Sequence, residues 1–158
     1  MVAVSAPADA RLAATRPVLL YTLTFGVGLA INHAHPQRLL PDAIAFGIGA
    51  VLLVAGGLLA TWANRSVERS RLTRDARCPS DVVVVTGPFA FSRNPMHLAR
   101  TLLYVGTALE RNALWPLVTL IPLAAAMHFH VVRVEERLLE QHFGAAYRRY
   151  CARVRRWI

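Results

Sequence analysis

Charge is missing from this chain over long distances: Ala43 to Asn64 and Asn112 to Val132 contain no acidic or basic residue apart from histidine. Each window reaches the roughly 20 residues that a helix needs to cross a bilayer. Lysine is absent, so all 18 basic residues are arginine, a usage ascribed to genome composition and given no functional weight. Cysteine is scarce, and Cys78 and Cys151 lack the C-x-x-C spacing of a redox or metal motif. His33 with His35 and His128 with His130 are spaced by two, which turns their rings to nearly opposite faces of a helix. With no His-x-x-x-His pair, no metal site is expected, and the histidine-rich di-iron hydroxylases and desaturases are excluded. There is no Gly-x-Gly-x-x-Gly and no alternation of strands with helices, which excludes a doubly wound nucleotide-binding domain. No Ser-His-Asp arrangement stands out. Met1 to Arg16 is alanine-rich without an apolar core, so no cleaved signal is expected and the first apolar run should remain as a helix.

What is present is apolar. Hydrophobic residues make up 55% of the chain, against about 45 to 50% with glycine included in a soluble domain, and the mean hydropathy is +0.39. The arginines gather at the ends of the apolar runs: Arg65, Arg69, Arg71, Arg74 and Arg77 in one stretch, Arg148, Arg149, Arg153, Arg155 and Arg156 in the tail, and one each near Arg38 and Arg111. By the positive-inside rule the basic loop and both termini are cytoplasmic. The net charge of +9 therefore points to anionic lipid headgroups rather than nucleic acid. The expectation is an integral protein of a bacterial inner (plasma) membrane.

The expected fold is all-α, one membrane domain over residues 1–158. Four transmembrane helices, or five segments, are placed near residues 17–33, 43–63, 95–109 and 112–132, followed by a cytoplasmic amphipathic helix over 133–152. The first is marginal, because Asn32, His33 and His35 confine its apolar part to Val18 through Ile31. The third carries Arg100, at a cost of about 2.5 to 3.5 kcal/mol at mid-membrane, and spans only if its neighbours shelter that charge. Arg100 either snorkels to the nearer interface or belongs to a site. Ala45 with Gly49 and Gly56 with Ala60 form small-x-x-x-small pairs that let helices approach, within one chain or between copies. Pro116 and Pro122 are expected to kink the last span. The run Val82 to Val85 before Gly87-Pro88 reads as an extended segment across the site, or as a short solvent-facing strand.

Two polar elements stand out against this background. One is Gly87-Pro88-Phe89-Ala90-Phe91-Ser92-Arg93-Asn94-Pro95-Met96-His97, at the mouth of the third span. The other is Glu135-Glu136 with Phe143-Gly144 and Tyr147, where the fourth span ends. From Val131 the apolar positions Val134, Leu138, Leu139, His142, Phe143, Ala146, Tyr147 and Tyr150 recur at helical spacing. Arg133, Arg137, Glu140 and Arg148 take the other side. Glu135 precedes Leu138 by three and Leu139 by four, so its carboxylate sits in the middle of the apolar stripe. It must pair with an arginine such as Arg93 or serve a polar ligand.

Taken together, Thr86 through His97, Glu135-Glu136, Phe143-Gly144, Tyr147, Tyr150 and Val154-Arg155-Arg156-Trp157 resemble the isoprenylcysteine carboxyl methyltransferases and the related phospholipid methyltransferases. The resemblance covers roughly the C-terminal half and is specific as a set. It implies an integral membrane enzyme that holds S-adenosyl-L-methionine without a Rossmann domain. It also implies cofactor contacts from Asp81, Val82, Val83 and Val84, from Phe89, from Asn94, Pro95, Met96 and His97, and from Glu135. Two positions depart from the family pattern: Asn94 stands where His is frequent, and His97 where Tyr is frequent. Val131 stands where eukaryotic members have a substrate-contacting arginine, which puts a prenylcysteine acceptor in doubt.

The resulting expectation is methyl transfer to a lipophilic acceptor that enters from the bilayer: an isoprenylcysteine-type carboxylate, a phospholipid amine or a small hydrophobic thiol. Arg93, His97 and Glu136 are the catalytic candidates. Arg93 would hold a carboxylate, Glu135 or a lipid phosphate. His97 or Glu136 would take a proton from an amine acceptor; the alternative for His97 is a surface ring facing headgroups. The competing reading is a non-catalytic binding or transport protein on the same scaffold, with Arg100 and Glu135 as an intramembrane ion pair. The related sterol-reductase scaffold is disfavoured by the shortness of the chain.

Overall fold

The computed structural model describes residues 8–75 and 83–158. Among these the regular structure is entirely helical. Helix α1 covers Ala8–Ala34, α2 covers Asp42–Asp75, α3 covers Pro95–Glu110, α4 covers Leu114–Ala126, α5 covers Arg133–Phe143 and α6 covers Ala145–Arg153. A π-helical turn, Met127–Val132, joins α4 to α5 without interrupting the rod, and a 3-10 turn, Gly87–Ala90, precedes α3.

Among the described residues three helices are long and apolar enough to cross a membrane, at Pro17–Ala34, Asp42–Ser70 and Leu114–Phe143. At 16 residues, α3 reaches about 24 Å, short of the roughly 30 Å hydrocarbon core. It is paired along its length with the much longer α2.

Several boundaries differ from the sequence expectation. Helix α1 extends back to Ala8, ahead of its membrane segment Pro17–Ala34, because the alanine-rich lead-in is a strong helix former. Helix α2 runs on from the membrane window to Asp75. The amphipathic tail is two helices, not one over 133–152: Gly144 adopts φ +51°, a conformation glycine reaches at little cost, and turns the chain between α5 and α6. Pro116 lies in the first turn of α4, where its missing N–H breaks no helical bond. Of the two expected kink sites, only Pro122 is inside the helix. The π turn is the second irregularity, and periodicity gives no sign of it.

The bundle is two antiparallel pairs, α2 with α3 and α1 with α4. Small residues set how closely they approach. A Cβ on Gly49 would meet the Glu110 backbone N at 2.6 Å and the Gly106 carbonyl at 2.8 Å, and one on Gly28 would meet Pro116 Cα at 2.6 Å. The face of α2 that carries Gly49 and Gly56 is thus filled by α3 of the same chain. Tyr104 joins the two pairs, meeting Tyr21 and Phe25 edge to face and bonding Thr119 Oγ1 at 3.0 Å.

One end of the bundle is closed by Asn112, which sits at φ 48° in the turn after α3. Its Oδ1 accepts from the N–H groups of Leu39 and Leu40 at 3.0 and 3.1 Å, and its Nδ2 donates to Leu40 O and Asp42 Oδ1. This clamps the α1–α2 connection onto the α3–α4 turn. The opposite end holds the candidate site.

The α2–α3 contact is backbone against backbone, so it cannot absorb a methyl group. Gly49→Ala is expected to lower stability by about 1 to 3 kcal/mol through overpacking. Gly47→Ala, which meets nothing within 4 Å, should be neutral or stabilising by up to about 1 kcal/mol. Thermal unfolding of the two variants in detergent measures the difference.

Candidate functional site

The site begins with chain geometry. Val83 to Val85 form no regular element, and Val83 and Val84 are both buried: Val83 packs on Tyr147 and Tyr150, and Val84 on Ala63 and Phe89. Gly87 takes φ +64° with Ser66 and the Trp62 ring against its backbone, so a side chain there has neither the conformation nor the room. The Gly-Pro turn drives Phe89 into the core, 2% exposed, with Met96 packed beside it. Tyr150 Oη donates to the Phe89 carbonyl at 2.8 Å, fixing α6 to this turn.

Asn94 then caps α3, with Pro95 as the first helical residue, a position that needs no N–H. The Asn94 side chain makes no cap bond and turns to the tail instead. Arg93 N donates to Arg155 O at 3.0 Å, and Asn94 Nδ2 donates to Arg156 O at 3.0 Å. The last residues thereby lie across the start of α3.

Charges complete the arrangement. Glu136 receives Arg156 in a two-point bond, Nε at 3.0 Å and Nη2 at 2.7 Å, and Arg93 Nη1 at 3.1 Å. Glu136 and Arg93 are 14% and 17% exposed, so the carboxylate meets two guanidiniums largely out of water and the trio keeps one net positive charge. Arg93 Nη1 also reaches Cys151 Sγ at 3.1 Å. Trp157 Nε1 donates to His128 Nδ1 at 3.2 Å, with the two rings stacked. One residue before Glu136, Glu135 turns to another partner: its Oε2 lies 3.2 Å from His97 Nε2. The His97 side chain is 1% exposed, whereas the Glu135 carboxylate keeps 21%.

Two buried atoms here have no hydrogen-bond partner among the described residues, Arg93 Nε and His97 Nδ1. Unpaired buried polar atoms are rare and costly. In the neutral ring, donation of Nε2–H to the Glu135 carboxylate leaves the Nδ1 lone pair open, and in that form the site offers one open acceptor and one open donor.

The sequence-derived residues divide accordingly. Arg93, His97, Glu135 and Glu136 converge at the start of α3, with Asn94 beside them. Val83, Val84, Phe89 and Pro95 are buried in packing, and Met96 is partly so; they shape the platform and leave little surface for a ligand. Asp81 and Val82 lie outside the described residues, as does Cys78. Arg93 pairs with Glu136 rather than Glu135. Arg100 and Glu135, the ion pair named in the transport reading, act on each other through space without a direct contact, the direct partner of Glu135 being His97. Arg156, Trp157, His128 and Cys151 gained no individual role from the sequence. Their long-range partners lie 20 to 64 residues away, beyond any helical spacing rule.

A family model described as phospholipid methyltransferase matches residues 44–146. The match runs from the first turn of α2 into α6 and includes Arg93, His97, Glu135 and Glu136, whereas Tyr150, Cys151, Arg156 and Trp157 lie beyond it. No curated protein and no solved structure matches the chain.

Two outcomes follow from this geometry. Glu136→Gln removes the charge that both guanidiniums share and should free the tail; trypsin then cuts after Arg153, Arg155 and Arg156 at least severalfold faster than in the wild type, as followed by intact-mass analysis. Burial pushes the Tyr150 phenol up to about 12 from an ordinary 10. A raised folded-state value stabilises below the unfolded one, so this contribution is complete below pH 10 and is lost as pH climbs from about 10 to 12. Tyr150→Phe should lower stability by about 1 to 3 kcal/mol at pH 7 through the stranded Phe89 carbonyl, and it should flatten the alkaline fall seen in a series of melts.

Proposed function

The chain belongs to the phospholipid methyltransferase family, and from that premise we propose that it is an S-adenosyl-L-methionine-dependent membrane methyltransferase acting on a lipophilic acceptor. The observation that carries the cofactor assignment is the pair of open buried atoms, Arg93 Nε and His97 Nδ1. One donates and the other accepts, which suits a ligand carrying a carboxylate together with an ammonium or ribose hydroxyls. Glu135, partly exposed beside them, supplies a further anionic acceptor for such donors.

S-adenosyl-L-methionine supplies a methyl group on a sulfonium whose positive charge disappears as the methyl is transferred. The protein's part is positioning and exclusion of water. Glu135 orients the His97 ring through Nε2 and so aims Nδ1 at the cofactor's donors, which assigns His97 to cofactor binding; a carboxylate or thiolate acceptor needs no proton acceptor. Both oxygens of Glu136 are committed to guanidinium donors, so its role is to hold Arg93 and the tail rather than to take a proton. Val83, Val84, Phe89, Pro95 and Met96 form the apolar wall behind these groups, with Asn94 fixing the tail over them. In the same reading α3 is the shorter fourth span. The site lies at the cytoplasmic face of a bacterial inner membrane, with both termini on that side as the arginine distribution requires.

Calorimetric titration of the detergent-purified chain with S-adenosylhomocysteine tests this reading. Saturable binding is expected, weakened at least tenfold in Glu135→Ala and in His97→Ala. A folded protein that does not bind, or variants that bind as the wild type does, would overturn it.

A further inference from the structure

Helix α1 rests on α4 and touches α3 only sparingly, and between α1 and α3 a groove of about 320 Å³ stays open. Its walls are mostly apolar, with Val18 and Phe25 contributed by α1 and Leu103 and Tyr104 by α3. One charge stands in it, Arg100. Arg100 forms no hydrogen bond and no ion pair with any described residue; Glu135 acts on it only through space, being held by His97. A cation within a membrane helix ordinarily finds a partner or marks a pathway for one. Snorkelling would carry the guanidinium out to the headgroups, but this one is half-buried and lines the groove.

The occupant must therefore bring an anion to Arg100 and apolar surface to the walls. The volume is at the low end of the roughly 300 to 1,000 Å³ of small-ligand pockets, room for one chain rather than two. A guanidinium grips carboxylate or phosphate oxygens in pairs. We propose that the α1–α3 groove binds a single-chained anionic amphiphile drawn from the bilayer, its carboxylate or phosphate on Arg100 and its chain along Val18, Phe25 and Leu103. Arg100 follows His97 by three residues, so the two side chains are near neighbours on α3, and the amphiphile's head arrives beside the site already described. The binding itself does not depend on methyl transfer.

The test uses the full chain in a neutral maltoside detergent, titrated calorimetrically with dodecyl phosphate, dodecanoate and uncharged dodecanol. At least one anionic probe should bind saturably and at least tenfold tighter than dodecanol, and the tighter of the two anions names the headgroup chemistry. Arg100→Gln should weaken that binding at least tenfold, Arg100→Lys should restore part of it, and Leu103→Trp, which fills the groove and keeps the charge, should also weaken it. Arg148→Gln, a surface change, should leave it unaltered. Equal affinity for dodecanol, or wild-type affinity in folded Arg100→Gln, overturns the proposal; if that variant does not fold, Leu103→Trp and the dodecanol comparison decide. S-adenosylhomocysteine titration of the same samples separates the two readings: anion binding without cofactor binding supports the groove alone, and the reverse supports the cofactor site alone.

Discussion

One carboxylate shared by two guanidiniums holds this end of the molecule together. Glu136 lies on α5, Arg93 in the turn before α3 and Arg156 in the tail, so a single charge joins three segments that are far apart in sequence. Its environment makes the bond consequential. At 14% exposure the carboxylate is largely cut off from water, and a partly buried charge that loses a partner is left with a desolvation cost that nothing offsets. The bonds from the Arg93 backbone N–H and the Asn94 side-chain amide to the tail carbonyls hold the same segment beside that charge cluster. In turn, the tail fixes the N-terminal turn of α3 from which His97 projects.

Adjacent residues on a helix point about 100° apart, and the two glutamates use that angle to do different work. Glu136 faces the guanidiniums. Glu135 faces His97, a ring that is almost wholly buried. The division leaves the first carboxylate of the pair partly open to a ligand and closes the second within the protein. It also explains why Arg93 does not neutralise Glu135: its Nη1 is already taken by Glu136 and Cys151. Its Nε is left open.

The membrane windows are readable in the sequence because a long run without charge suits few environments besides a bilayer. Their ends are less so. Helix α2 runs past its window as an arginine-bearing helix, since arginine supports a helix as well as most residues do and hydropathy reports only where apolar sequence stops. Gly144 is visible as part of a motif, yet its role as a break between α5 and α6 depends on a backbone angle that the surrounding helical stripe conceals. The site is legible in membership more than in wiring. Arg93, His97, Glu135 and Glu136 all stand out from their apolar surroundings, but which carboxylate meets which cation is a property of three-dimensional packing. Asn112 has no helical pattern to announce it, although an Asn at the end of a short helix is a residue that tolerates positive φ.

The two ends of the bundle satisfy their polar groups differently, and the contrast bears on where function resides. At the Asn112 end the side-chain amide is matched by neutral backbone partners and a carboxylate, all within 3.1 Å. That is how a closure is built for stability alone. At the other end the structure gathers a buried histidine, two acids and two arginines, and still leaves a guanidinium nitrogen and a ring nitrogen without partners among the described residues. Asn32 Oδ1, on α1, is also unpartnered among them, but it is a single neutral amide oxygen. A sequence under selection for stability alone has no reason to retain the costlier pair, because replacing buried charges with apolar residues of similar size is often neutral or stabilising. Open polar atoms amid an otherwise compensated charge cluster are what a binding site requires before its ligand arrives.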